Sequence, residues 1–230
     1  MTARSRPLLL GHRGARATKS IPENTIASFD LCLEHGCDGF EFDVRGTADG
    51  SLVVCHDTAF RGSLIAKLSA REVEGWQAQG FLPFLEDVLH RYSGKCFLDI
   101  ELKVAGVEAP VVELLWQYPT KQGCLVTSFL PEVLGRIHAL DDSIELGYLF
   151  DRVQEHGAGR NDFPREGVRW MLPEWYLLDE AMVSNLRKTN ARIGAWTVNE
   201  TPDMRRLAAL GVEMLISDET ERLVNTFRVG

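Results

Sequence analysis

From Leu8 to Ser217, short strand-like apolar runs alternate with longer amphipathic stretches, and no other feature of the chain constrains its fold as much. The runs are Leu8 to Gly11, Gly39 to Asp43, Cys96 to Leu102, Cys124 to Ser128, Ile144 to Leu149, Val168 to Leu172, Arg192 to Thr197 and Met214 to Ser217. Helices are predicted at Thr25 to Glu34, Val107 to Trp116, Pro131 to Ala139, Asp179 to Thr189, Pro202 to Leu210 and Glu219 to Phe227. Pro131 and Pro202 stand where a first helical turn tolerates proline, and Gly211 stands where a helix stops. Strands linked by crossover helices make a parallel sheet, and eight of them close into a (β/α)₈ TIM barrel. The whole chain, residues 1–230, is therefore expected to be one domain.

A ninth apolar run, Leu52 to Cys55, is separated from the second strand only by Arg45 to Ser51. A parallel crossover needs roughly a dozen residues, whereas Asp49-Gly50 is a hairpin signal. Leu52 to His56 is thus expected to fold back antiparallel, bringing His56 over the barrel mouth beside Glu41 and Asp43. Asp57 to Lys95 reads as two short helices joined by Gly80-Phe81-Leu82-Pro83, an elaborated loop after the second barrel strand.

A net charge of −8 argues against a nucleic-acid partner or a stable association with an anionic membrane, both of which attract basic surfaces. An anionic substrate must then meet a local positive site. Leu8-Leu9-Leu10 is too short for the core of a secretion signal, and no later stretch approaches the ~20 apolar residues that span a bilayer. The five cysteines include no Cys-x-x-Cys pair, as expected of reduced thiols in a cytoplasmic protein.

The polar residues that could do chemistry lie at predicted strand ends. Side chains two apart on a strand share a face, so Glu41 and Asp43 point together, and Glu101 and Lys103 repeat the arrangement. Three carboxylates on neighbouring strands of a barrel core repel one another unless a cation sits among them. Oxygen ligands select a hard ion, Mg²⁺ ahead of Ca²⁺, rather than zinc. Exposed strand-end charges paired with Arg45 and Lys103 are the alternative. His12 ends the first strand and His56 ends the hairpin. Two imidazoles on opposite sides of a phosphodiester can serve as base and acid, their ordinary pKa being about 6.5.

His35, His90, His138 and His156 fall in predicted helices or loops away from strand ends and are read as structural. Arg13 and Lys103 are candidate phosphate contacts, with Lys103 equally able to bridge to Glu101 or Glu41. Trp196 is either an apolar wall for the substrate or packing beneath a loop. Asp218 either orients Arg13 or a substrate hydroxyl, or caps the helix that begins with Glu219-Thr220-Glu221.

Taken in order, Gly11-His12-Arg13-Gly14, Pro22-Glu23-Asn24-Thr25, the block from Glu41-Phe42-Asp43 to His56-Asp57, Leu82 to Val88, Glu101-Leu102-Lys103, Thr127-Ser128-Phe129, Ala195 to Asn199 and Ile216-Ser217-Asp218 cover nearly the whole chain. This ordered set resembles the glycerophosphodiester phosphodiesterase family, whose barrel is shared with bacterial phosphatidylinositol-specific phospholipases C. The resemblance implies His12 and His56 as the general acid/base pair, Glu41, Asp43 and Glu101 as metal ligands, and Arg13 and Lys103 as phosphate contacts. It implies hydrolysis of a small glycerophosphodiester to glycerol 3-phosphate and an alcohol, with the glycerol 2-hydroxyl attacking phosphorus and water opening the cyclic phosphate. Thr58 to Ser63 departs from the family's Arg-Thr-Thr-rich segment, and Ile216-Ser217-Asp218-Glu219 from its usual Ile-Thr-Asp followed by proline. Two rivals stay open. One is a phospholipase-D-like activity on lysophospholipids or sphingolipids entering past Phe60, Leu64, Ile65, Trp76, Phe81 and Leu82. The other is a non-catalytic barrel that binds a phosphorylated ligand or a protein.

Overall fold

The computed structural model describes residues 6–151 and 167–228. Eight parallel strands form the barrel: β1 (Leu8–His12), β2 (Gly39–Gly46), β6 (Phe97–Leu102), β7 (Cys124–Ser128), β8 (Leu146–Phe150), β9 (Val168–Pro173), β10 (Arg192–Ala195) and β11 (Met214–Ser217). β1 pairs with both β11 and β2, which closes the ring. The ninth run is β3 (Leu52–Val54), antiparallel to β2 with Val44 opposite Val54, as the Asp49-Gly50 signal predicts.

Alternation along each strand sorts the core into two shells. Leu8 and Leu10 join Phe97, Leu125, Leu149, Trp170, Leu172, Met214 and Ile216 inside the barrel. The intervening residues, among them Leu9, Phe40, Phe42, Val44, Leu98 and Ile100, face the helices. Around the barrel lie α1 (Ile26–Glu34), α3 (Leu85–Tyr92), α4 (Glu108–Gln117), α5 (Pro131–Leu140), α6 (Glu180–Arg187), α7 (Thr201–Ala209) and α8 (Thr220–Phe227). Phe29 of α1 stacks on Phe40 of β2 at 4.2 Å, and Tyr92 of α3 meets Phe40 edge-on at 5.0 Å. Such aromatic pairs add about 0.5–1.5 kcal/mol each beyond the area they bury. Gly39 lets β2 and β6 approach: a Cβ there would stand 1.8 Å from the carbonyl oxygen of Phe97.

The expectation for Asp57 to Lys95 is corrected in one respect. Only its first part is an excursion: a hairpin of β4 (Ala59–Phe60) and β5 (Ser63–Leu64), a 3₁₀ turn (Ile65–Lys67) and α2 (Ala70–Gln77). These close over a small core of Val53, Cys55, Ile65, Leu68, Val73 and Leu82. α3, in contrast, is the barrel's own crossover helix, burying Leu85, Val88, Leu89 and Tyr92 in the main core. The five cysteines are unpaired, and no helix among the described residues is long and apolar enough to cross a membrane.

Candidate active site

The two-residue period of the strands and the barrel register place the acids. His12 lies opposite Glu41, Glu41 opposite Asp99, and Asp43 opposite Glu101. Each shares the parity of the interior face, so the side chains converge at the C-terminal end of the barrel. Glu41, Asp43 and Glu101 are buried, and each offers one carboxylate oxygen within 4.8 Å of the other two. Oε1 of Glu41 and Oδ1 of Asp43 are buried without a hydrogen-bond partner. Orphaned carboxylate oxygens in a core are costly, and a hard divalent cation is the group that would satisfy them, so the residues present fit such an ion.

Electrostatics point the same way. Burial, reinforced by the neighbouring acids, pushes Glu41 well above the ordinary carboxylate range and Glu101 up to about 7. Burial also pulls Asp43 upward, yet Arg13 and Lys103 beside it hold it below its ordinary value. Arg13 Nε lies 3.2 Å from Asp43 Oδ2, and its backbone N–H donates to Glu41 Oε2 at 3.0 Å. Lys103 Nζ donates to Glu101 Oε1 at 2.6 Å and stands 3.6 Å from Asp43 Oδ1. The salt bridge foreseen for Lys103 is therefore made, to Glu101, in the same place from which it can reach an anion. The alternative pairing of the acids with Arg45 is not made: Arg45 Nε and Nη2 donate to the carbonyl oxygen of His56 at 2.9 and 2.6 Å, holding the hairpin end in place.

The histidines are set differently. His12 Nδ1 donates to Asp218 Oδ1 at 2.8 Å, leaving Nε2 toward the acids, 3.9 Å from Glu41 Oε2. Burial lowers the His12 pKa, against the opposing pull of Asp218. Asp218 also accepts from Arg16 and Asn199, and although burial raises its pKa, these partners together with His12 drive it far below the ordinary range. Of the roles foreseen for Asp218, orienting Arg13 and capping the last helix are corrected. Glu219 holds the cap position of α8, and the Asp218 carboxylate is committed to His12, Arg16 and Asn199. His56 closes the hairpin with Nδ1 donating to Asp57 Oδ1 at 2.8 Å.

Several helpers escape a reading by strand ends. Asn24 Nδ2 donates to Asp43 Oδ2 at 2.8 Å, fixing that ligand from the turn before α1. Glu23 accepts from both Arg13 and Arg16, so an alternating chain of charge runs from Arg13 through Glu23 and Arg16 to Asp218 and His12. Asn24 and Glu23 stand in a motif noticed in the sequence, but nothing in its spacing says which strand they reach. Trp196 Nε1 donates to the carbonyl oxygen of Leu172, and its ring meets Phe129 edge-on at 5.3 Å. Lys103 Nζ lies 5.7 Å from the centre of the Phe129 ring, so the packing pair of Trp196 and Phe129 borders the carboxylate cluster. His35 bonds Thr220, His90 packs on Tyr118, and His138 sits on α5 against Gly167, all outside the carboxylate cluster; His156 lies outside the described residues.

The model of the glycerophosphoryl diester phosphodiesterase family matches residues 12–222, a stretch that takes in every side chain of this site. A glycerophosphodiester phosphodiesterase of Caldanaerobacter subterraneus subsp. tengcongensis is 30% identical over 97% of this chain and 98% of its own. Among solved structures, the glycerophosphodiester phosphodiesterase of Thermotoga maritima superposes with a TM-score of 0.83 at 24% identity, covering 97% of this chain and 99% of that one. A phosphodiesterase of Oleispira antarctica, solved in complex with its product sn-glycerol-3-phosphate, gives 0.82 at 25% identity and covers 96% of both chains.

Proposed function

This chain belongs to the glycerophosphoryl diester phosphodiesterase family, and from that premise we propose that it hydrolyses small glycerophosphodiesters to glycerol 3-phosphate and an alcohol with His12 and His56 as its acid–base pair. The observation that carries this reading is a carboxylate-held imidazole beside a buried trio of acids with orphaned oxygens. Glu41, Asp43 and Glu101 would hold a divalent cation, Mg²⁺ ahead of Ca²⁺, which when bound supplies charge neutralisation and polarises the phosphoryl group.

The chain's own residues do the rest. Arg13 and Lys103 offer positive charge to the phosphate. Asp218 fixes the proton on Nδ1 of His12, so Nε2 is the atom that exchanges protons. Burial keeps that imidazole neutral near neutral pH, which suits it to accept the proton of the glycerol 2-hydroxyl as that oxygen attacks phosphorus. His56, steadied by Arg45 and Asp57, gives a proton to the departing alcohol oxygen as the P–O bond breaks. The roles then exchange: His56 takes a proton from water as the water oxygen bonds to phosphorus, the P–O bond to the 2-oxygen breaks, and His12 returns the proton to that oxygen. Five of the six apolar residues of the lysolipid alternative do not favour it, because Ile65 and Leu82 are buried in the core of the excursion and Phe60, Trp76 and Phe81 pack against that core; Leu64 alone of the six is exposed.

The test is release of glycerol 3-phosphate from glycerophosphocholine with Mg²⁺, with Ca²⁺ or with excess chelator, alongside His12→Ala. Release is expected to need both metal and His12. A metal-replete protein that releases none from any glycerophosphodiester overturns the reading.

A further inference from the structure

The excursion after His56 carries a cation that this reaction leaves unused. Arg61 and Gly62 form the two-residue turn between β4 and β5, where Ala59 pairs with Leu64 and Phe60 with Ser63. Both turn residues have positive φ, 47° and 88°, the pattern of a type I′ turn, for which Asn-Gly is a favoured pair. An arginine there is strained in its backbone, yet its side chain is firmly seated. The guanidinium carbon lies 5.4 Å from the centre of the Phe60 ring, 4.9 Å from Trp76 and 4.6 Å from Phe81. The rings brace one another, with Phe60 5.4 Å from Trp76 and 5.6 Å from Phe81.

No ion pair or hydrogen bond engages the Arg61 guanidinium among the described residues. Contact with the rings engages the charge of the group but satisfies none of its in-plane N–H donors, and the residue is exposed. The cations of the site itself have protein partners: Arg13 with Glu23 and Asp43, Arg16 with Glu23 and Asp218, Lys103 with Glu101, and Arg45 with the His56 carbonyl. Arg61 follows His56 by five residues, so its Cα is at most roughly 18 Å away even on a fully extended chain. The excursion follows the return of β3 along β2, leaving it where the Cys55 N–H donates to the carbonyl oxygen of Asp43, at the end of the barrel where the acids converge.

We propose that Arg61 selects the alcohol half of the substrate, favouring a head group that bears a carboxylate. This rests on the reaction proposed above. One guanidinium matches one carboxylate in charge and in its two-pronged geometry. In a chain of net charge −8, an anionic head group needs a dedicated cation near the mouth. A quaternary ammonium would need the same ring faces that Arg61 covers, so the two recognitions exclude each other.

The experiment compares kcat/KM for glycerol 3-phosphate release from glycerophosphoserine and glycerophosphocholine in the wild type, in Arg61→Asn and in Arg61→Lys. Asparagine suits the turn, so the first variant keeps the hairpin. The wild type is expected to prefer glycerophosphoserine, and Arg61→Asn to lose about tenfold or more on that substrate, mainly through KM, while glycerophosphocholine is unchanged or improved. Lysine is expected to restore only part of the loss, because it keeps the charge without the fork. A wild-type preference for glycerophosphocholine, equal losses on both substrates, or no change on either would overturn the role of Arg61 while leaving the reaction standing. No release from either substrate by the wild type would overturn the reaction and this role with it.

Discussion

The two histidines of the site are chemically alike and structurally opposite. His12 ends a barrel strand, with its side chain 13% exposed and its Asp218 partner 16% exposed. His56 ends a hairpin return, 33% exposed, and its Asp57 partner is 79% exposed. The first pair works in a low-dielectric setting where a hydrogen bond fixes tautomer and orientation strongly; the second is bathed in water that competes for the same bond. One fold thus supplies an imidazole anchored in its core and another at its rim, the first proposed above as proton acceptor and the second as proton donor. This suits a reaction in which the attacking hydroxyl must be held still while the leaving alcohol departs into solvent.

Removing each imidazole tests the contrast first. His12→Ala is expected to lower kcat by about 10⁴-fold and His56→Ala by about 10²-fold, the range open to general acid–base catalysis. A larger loss at His56 would reverse the ranking of anchored and exposed groups. The carboxylate partners come next. Asp218→Asn is expected to cost about 10-fold to 100-fold in kcat, whereas Asp57→Asn changes it by no more than about threefold, because exposed charge pairs contribute little. Asp218 raises the His12 pKa against the lowering effect of burial. Removing its charge should therefore move the acid limb of the pH–rate profile to lower pH, and an unmoved limb would show that Asp218 does not act on His12.

The smallest effect concerns stability and confines itself to the buried side. Asp99 is fully buried beside Glu41, and burial pushes its pKa up to about 8 despite the hydrogen bond from Thr127. The unfolded chain releases that proton near pH ~4. A raised carboxylate pKa means that the folded state holds the proton longer, so this group disfavours folding progressively as pH rises from about 4 to 8. Asp99→Asn, melted in excess chelator, should gain stability over the wild type by an amount that grows across that window. A gain independent of pH would contradict it.

Much of the fold was legible because period-two runs and crossover lengths are local properties. Asp49-Gly50 and the short spacer from Arg45 sufficed to predict that β3 turns back on β2. The acid trio was legible for the same reason: residues two apart on a strand share a face. What pairs across the barrel seam was not. Asp218 and His12 lie 206 residues apart, and Asp218 reads locally as a helix cap. Asn24 reaches Asp43 from a turn whose direction no periodicity encodes. The apolar stripe of α3 matched an excursion as well as a barrel helix, because amphipathicity identifies a buried face without naming what covers it.

The seam has a consequence for how the molecule comes into being. β1 is held between β2 and β11, so the strand that carries His12 waits for the last strand before its ring is complete. The residues of the acid cluster have all been made once β6 is complete, but Asp218, the partner that anchors His12, comes 206 residues after it. On the proposed reaction, turnover by a nascent chain would stay silent until β11 and Asp218 have been made, and the onset of activity would mark the moment at which the ring closes.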